Sequence, residues 1–177
     1  MLEYAVFWTS LGWMGVGRLT SSVARVVLPS ARRSIVLERL SHALPPQDAV
    51  LIEVGQDVFG TLSERLTLHM DGEHVPFDDD VDTSGWTPFR TRVWEATRAI
   101  PYGETRSYSW VAAHVGQPNA PRAVGQALHN NPVPIIVPCH RVIGANGALV
   151  GFGGGCDLKA RLLALEQGAD VASGHFV

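Results

Sequence analysis

Ile135-Ile136-Val137-Pro138-Cys139-His140-Arg141-Val142-Ile143-Gly144 sets a thiol, an imidazole and a guanidinium in a row, between an apolar run and a glycine. A thiolate is a strong nucleophile, and a neighbouring base or cation favours it over the thiol. His140 supplies a base and Arg141 a positive field. Adjacent side chains do not face each other on a strand or on a helix. His140 can therefore act on Cys139 only through a sharp bend or a bridging water. Pro138 before and Gly144 after suit a bend. Taken alone, the Cys-His pair reads more readily as the end of a buried strand with an inert thiol, because free cysteine behaves as a small hydrophobe. The residues around it separate the two readings.

Upstream, the prolines of Asn130-Asn131-Pro132-Val133-Pro134 force an extended path into the cysteine strand. Asn131 is placed to hold the bend through bonds to backbone groups. Downstream, Asn146-Gly147 signals a hairpin turn. Gly151-Phe152-Gly153-Gly154-Gly155 is a loop whose amides lie open to a ligand oxygen. It lacks the GK[ST] ending of a phosphate-binding loop. A last helix is predicted over 157–167, with Leu158, Leu162 and Leu165 inward and Glu166 near its end.

Further upstream, Thr87-Pro88 is an N-cap followed by proline at the first helical position. That helix is predicted to run to Ile100, with Phe89, Val93, Ala96 and Ile100 on one face. Ser107 caps a helix over 108–115. Gly116-Gln117-Pro118-Asn119 turns the chain into another helix over 120–129. Two short helices joined by a four-residue turn form a helix-turn-helix candidate. The second carries Arg122, Ala123, Gly125 and Ala127. Glycine inside a helix costs about 1 kcal/mol relative to alanine, so Gly125 implies a close approach. The surface approached is either the protein's own core or a nucleic-acid groove.

The amino-terminal part reads as a small mixed α/β domain. Strands are predicted over 2–9, 12–20 and 23–28. Pro29 and Ser30 open a helix over 30–43 with Ile35, Leu37, Leu40 and Leu44 inward, stopped by Pro45-Pro46. A second helix is expected over 48–59 and a strand over 65–70. His42, His69 and His74 have no carboxylate or cysteine companion at ligand spacing, so no metal site is expected. The acidic run Asp78-Asp79-Asp80-Val81-Asp82 packs poorly and marks a boundary. The expected division is a small domain over 1–80, a linker over 81–86 and a second domain over 87–177.

Of the 177 residues, 46% are hydrophobic and 18% charged, as in ordinary globular proteins. No apolar run is long enough to span a bilayer. Met1–Ser10 lacks the basic start and cleavage site of a signal peptide, so a cytoplasmic location is expected. Two cysteines without CxxC spacing fit a reducing compartment. The formal net charge is −3, but residues 1–85 carry −6 and residues 86–177 carry +3. Such asymmetry fits a polyanionic partner for the second half, and equally a solvated basic face.

Three blocks in this order carry a resemblance: Ile100-Pro101-Tyr102-Gly103-Glu104-Thr105, Arg122-Ala123-Val124-Gly125, and Asn131-Pro132 through Pro138-Cys139-His140-Arg141-Val142. The glycine loop, Lys159, Leu162-Leu163 and Glu166 complete it. Over residues 87–166 the chain closely resembles the O6-alkylguanine-DNA alkyltransferases. The resemblance implies a ribonuclease-H-like mixed sheet in a small α/β first domain. It implies a mainly α, winged helix-turn-helix-like second domain. It also implies one irreversible transfer of an alkyl group from O6-alkylguanine in double-stranded DNA to Cys139, by a monomer, with no cofactor. Activity on O4-alkylthymine and the size of alkyl group accepted stay open.

Position by position, the resemblance makes Cys139 the acceptor, His140 a base acting through water and Glu166 the carboxylate that orients it. Tyr108 donates to the base and helps rotate its phosphate, and Asn131 braces the active-site turn. Arg122 is the finger that fills the gap left by a flipped nucleotide. Ala123 and Gly125 lie on DNA, with Tyr108 and Arg141 in the same binding set. Pro134, Val142, Phe152, Gly153 and Lys159 form the base pocket. The carbonyls of Cys139 and Val142 read the guanine 2-amino group, and an amide near Gly153 meets O6.

Phe152 stands where the family often has tyrosine. The first domain lacks the cysteines that hold zinc in some relatives, so no zinc is expected. No segment like the methylphosphotriester sensor of adaptive-response proteins precedes it, so transcriptional regulation is not expected. Cys156 has no assigned counterpart. The competing functions are a lesion binder without chemistry, which would replace the cysteine, and a cysteine hydrolase, which leaves Arg122 and the helix-turn-helix unexplained.

Overall fold

A computed structural model describes residues 1–42 and 50–168, and it divides into two compact units. The first holds residues 1–71, 75–86 and 132–136; the second holds 72–74, 87–131 and 137–177. The division is thus not contiguous in sequence.

In the first unit, β1 (Leu2–Thr9), β2 (Gly12–Leu19) and β3 (Ser22–Ser30) form an antiparallel meander. Helix α1 (Arg33–Ser41) packs on it. Its inward residues are Val36 and Leu40, which pack with Val27, Tyr4, Val6 and Trp13. Gly15 on β2 lets the helix come close: a Cβ there would stand 2.7 Å from Val36 Cγ1 and 2.9 Å from Leu40 Cδ1. Pro29 and Ser30, expected to open this helix, instead end β3. Leu37 is only partly buried, so the inward face is set one residue from the expected one. Leu44 and Pro45-Pro46 lie outside the described residues.

The helix expected over 48–59 is corrected: from Val50 onward the described residues form β4 (Leu51–Glu53) and a 3-10 turn at Gln56–Phe59. A short run of β-branched and aliphatic residues ending at a glycine suits an edge strand. It pairs parallel to β1, Leu2 opposite Leu51, in the sheet order β3-β2-β1-β4. The strand expected over 65–70 is helix α2 (Leu62–Met70). Over six residues a strand and a helix period coincide. Extending back to Leu62 resolves them, because Leu62, Leu66 and Met70 are all buried at helical spacing. The acidic run also packs: Arg65 grips the Asp79 carboxylate at 2.9 and 2.6 Å, and Val81 bridges Val23 beside β3.

In the second unit, α3 (Pro88–Arg98) starts at Thr87, whose hydroxyl accepts the Arg90 amide at 3.3 Å. Its core face is Val93, Trp94, Ala96 and Thr97, and the Trp94 indole donates to the Ala127 carbonyl at 3.0 Å. Then come β5 (Arg106–Ser107), α4 (Tyr108–His114) and α5 (Pro121–His129). After a 3-10 turn at Cys139–Arg141, β6 (Val142–Ile143) pairs parallel with β5. That pairing sets the start of α4 beside the cysteine segment. Asn146-Gly147 makes a turn, closed by the Gly147 amide on the Gly144 carbonyl at 2.9 Å. The chain returns to no strand among the described residues, so the expected hairpin is a turn only. Helix α6 (Cys156–Glu166) closes the unit. An α/β first unit and a mainly helical second unit match the expected fold class. No described helix is long and apolar enough to cross a membrane.

Candidate active site

The cysteine segment is not the expected strand. Cys139 opens a 3-10 turn in which the Cys139 amide donates to Val137 O at 2.8 Å and the Arg141 amide to Pro138 O at 2.9 Å. The turn sends neighbouring side chains to different partners. Asn131 Nδ2 donates to Cys139 Sγ at 3.3 Å and to Val137 O at 2.9 Å. Cys139 is only 7% exposed. Burial pushes its thiol upward, against the Asn131 bond and the nearby Lys159 charge that pull it down. The resting sulfur is a thiol, and its proton must leave during any reaction.

His140 is fully buried and its Nε2 lies 2.7 Å from Glu166 Oε1. Burial lowers its pKa, and the carboxylate does not overcome that, so the ring is neutral. A neutral ring that donates Nε2–H to a carboxylate has Nδ1 as its basic atom. Glu166 stays ionised for the opposite reason. Burial would raise it, but hydrogen bonds from His140 and Arg141 take it from 4.5 to about 2. Arg141 Nε reaches Oε1 at 3.1 Å and Oε2 at 2.9 Å, Nη2 reaches Oε1 at 2.9 Å, and the Gly103 amide donates to Oε2 at 3.1 Å. A buried carboxylate surrounded this way is a fixed orienting group.

Lys159 is the second buried ion. Its Nζ donates to Val142 O at 2.5 Å and Val150 O at 3.0 Å, and stands 5.7 Å from the Tyr108 ring centroid. Burial lowers its pKa. The Tyr108 hydroxyl donates to the same Val150 carbonyl at 2.9 Å, so one carbonyl pins the glycine loop to α4 and α6. Phe152 presents its ring edge-on to His140 at 6.4 Å, and Gly153 is exposed. Beside them an open cleft of about 700 Å³ is lined by Tyr108, Arg122, Gly125, Gln126, His129, Val150 and Gly151, among others. Arg122 and Ala123 are exposed on α5.

The fold therefore gathers Cys139, His140, Glu166, Asn131, Tyr108, Lys159, Val142 and Phe152 in one unit, with Arg122 and Gly125 along the cleft. One expected residue goes elsewhere. Arg141, expected on the DNA-binding face, is turned inward onto Glu166. Pro134, expected in the base pocket, is buried. Three residues just after α3, Ile100, Tyr102 and Gly103, belong to a block that carries the resemblance but had no expected place in the site. Gly103 has φ +77°, and a Cβ there would lie 3.1 Å from Glu166 O, which is the one local signal that it abuts the site. Gly125 has room for a methyl, whose nearest neighbour would be Tyr108 at 3.8 Å. Internal packing does not require that glycine.

Residues 88–168 match the family model of the 6-O-methylguanine DNA methyltransferase DNA-binding domain. The methylated-DNA–protein-cysteine methyltransferase of Mycolicibacterium paratuberculosis is 51% identical over 115 residues, 65% of this chain and 69% of the relative. The fold is similar to Mycobacterium tuberculosis OGT crystallised in complex with DNA. There the TM-score is 0.78 at 36% identity, over 96% of each chain. It is also similar to the O6-methylguanine-DNA methyltransferase of Pyrococcus kodakaraensis, with TM-score 0.72 at 25% identity over 94% of this chain and 99% of that one.

Proposed function

Because the chain belongs to the 6-O-methylguanine DNA methyltransferase family, we propose that it repairs DNA by moving an alkyl group from O6 of guanine to Cys139, once per molecule. The observation that carries this reading is the neutral His140 locked onto an ionised Glu166, next in sequence to a buried Cys139 thiol. A hydrolase would need turnover and an oxyanion hole. A single transfer needs only a thiolate and a stabilised leaving oxygen.

In the proposed reaction Cys139 passes its proton through water to His140. The sulfur attacks the alkyl carbon in line, the new C–S bond forms and the C–O6 bond breaks. The departing guanine takes a proton and leaves as ordinary guanine. Glu166 holds the imidazole in the tautomer that can accept, and steadies the imidazolium formed in passing. Asn131 holds the sulfur. Tyr108 donates to the base once it leaves Val150 O. The carbonyls of Cys139 and Val142 read the 2-amino group, and the second lone pair on Val142 O serves that bond while Lys159 keeps the first. The amide near Gly153 meets O6, beside Phe152.

The alkyl carbon lies inside a duplex, so the nucleotide must be extruded at a cost of a few kcal/mol. Arg122 fills the stack it leaves, and Ala123 and Gly125 present a flat helix face to the minor groove. The spare room at Gly125 supports this, since among the described residues the nearest neighbour of an added methyl is Tyr108 at 3.8 Å. Binding and chemistry belong to the second unit, with the first as the supporting domain. The protein works in the cytoplasm, as a monomer.

The test is intact-protein mass spectrometry after incubation with O6-methylguanine duplex. One methyl transferred to the nucleophile adds about 14 Da. The adduct should map to Cys139 and be absent in Cys139→Ala, which should still bind DNA. No adduct with retained lesion binding would leave a binder, and product beyond one equivalent would leave a hydrolase.

A further inference from the structure

The acceptor role of His140 depends on how Glu166 is aimed, and the groups that aim it extend beyond the carboxylate. Glu166 Oε1 is shared by His140 Nε2, Arg141 Nε and Arg141 Nη2, at 2.7, 3.1 and 2.9 Å. The guanidinium therefore helps to set where Oε1 and the imidazole lie. Arginine is a long side chain with many rotamers, so its fixation must come from elsewhere. The Ile100 carbonyl takes Nη1 at 2.7 Å. The Tyr102 ring takes the guanidinium carbon at 5.6 Å from its centroid. Tyr102 is itself held: its hydroxyl donates to Gly72 O at 2.9 Å, and its ring stacks on His74 at 4.4 Å and 17°. Ile100 and Tyr102 both lie in the segment that closes α3.

We propose that Tyr102 is a positioning residue for alkyl transfer, holding Arg141 through its ring so that Glu166 keeps His140 in the accepting orientation. The inference rests on the alkyl-transfer reading above. A cation over an aromatic face is attracted by the ring quadrupole, which an aliphatic side chain lacks. The hydroxyl bond to Gly72 places the ring but does not itself touch Arg141. The ring, not the hydroxyl, is the working part.

The charged groups facing His140 within this unit are Glu166, Arg141 and Lys159, and the Arg141 and Lys159 charges help keep the imidazole neutral. An Arg141 that drifts from Glu166 leaves the carboxylate charge under-compensated beside the ring. The imidazole then holds its proton at higher pH, and the acid side of the rate profile moves up.

The experiment is the single-turnover rate of methyl transfer from O6-methylguanine duplex, measured against pH for wild type, Tyr102→Leu and Tyr102→Phe. Tyr102→Leu should be slower by about tenfold or more at neutral pH, as small misplacements near a reacting centre are. Its acid limb should move to higher pH, with duplex affinity within about twofold of wild type, since no DNA contact is removed. Tyr102→Phe, which keeps the ring, should recover most of the rate and the wild-type profile. Tyr102→Leu at the wild-type rate overturns the proposal. So does an equal loss in both variants, or a uniform loss with the acid limb unmoved. If Tyr102→Leu does not fold by circular dichroism, Tyr102→Met, whose unbranched side chain fits irregular space and has no π face, carries the same outcomes. Failure of wild type to alkylate Cys139 would instead sink the alkyl-transfer reading.

Discussion

Lys159 Nζ donates to the Val142 carbonyl at 2.5 Å from a side chain with no solvent exposure. An ammonium buried on carbonyl oxygens is held by geometry, and its removal orphans its acceptors. Lys159→Met should therefore lower unfolding free energy by roughly 1–3 kcal/mol. It should also slow transfer, because Val150 O loses one of two donors and the thiolate loses a nearby cation. Urea denaturation and single-turnover kinetics check both.

Glu166 gives the protein a sharp acid dependence. Its carboxyl titrates at about 2 in the fold against 4.5 free. A depressed carboxyl stabilises the fold above pH 4.5, and that contribution fades as pH falls toward 2, where both states are protonated. Its size at neutral pH is on the order of 3 kcal/mol. His140, lowered by burial, acts in the same direction: the unfolded chain takes its proton first as pH drops below the ordinary histidine value. Melting temperature should fall through both ranges in wild type. Glu166→Gln should start lower and lose the dependence between pH 4.5 and 2. Parallel curves for the two proteins in that range would refute it.

Gly103→Ala should destabilise by about 1–2 kcal/mol, because left-handed backbone disfavours a Cβ. The added methyl would also press on Glu166 O at 3.1 Å. Transfer should slow, since the amide that holds Oε2 sits on this residue. A chemical melt and a rate measurement on the same sample test the pair.

Gly125→Ala separates fold from function. The methyl has ordinary contact distance inside the protein, so helix propensity should make the variant more stable by about 0.5–1 kcal/mol. Duplex affinity should fall, because the face loses its flatness. Greater stability with unchanged affinity would remove α5 from the DNA interface.

Arg122→Ala should slow repair of duplex DNA more than reaction with the free modified base, since only the duplex leaves a gap to fill. Equal losses on both substrates would exclude the finger role.

Local chemistry was legible where a residue's neighbours in sequence set its conformation. Thr87-Pro88 and Ser107 started helices because their hydroxyls cap the next turn. Cys139, His140, Asn131 and Glu166 stood out because their spacing matches a family. Short windows misled where two periods overlap or where pairing is non-local. Leu66, Leu68 and Met70 alternate as a strand would, yet α2 is a helix whose period shows only from Leu62. Residues 50–54 form a strand because β1 offers an edge, which no local window contains.

The sequence by itself singled out the candidate nucleophile, an α/β part followed by a mainly helical part, and two short helices joined by a turn, since these rest on residue type, capping and order along the chain. Only the tertiary structure decided where Arg141 points. Its guanidinium meets a carboxylate 25 residues away and a carbonyl 41 residues back, and a long flexible cation takes whichever buried acceptors the fold brings to it.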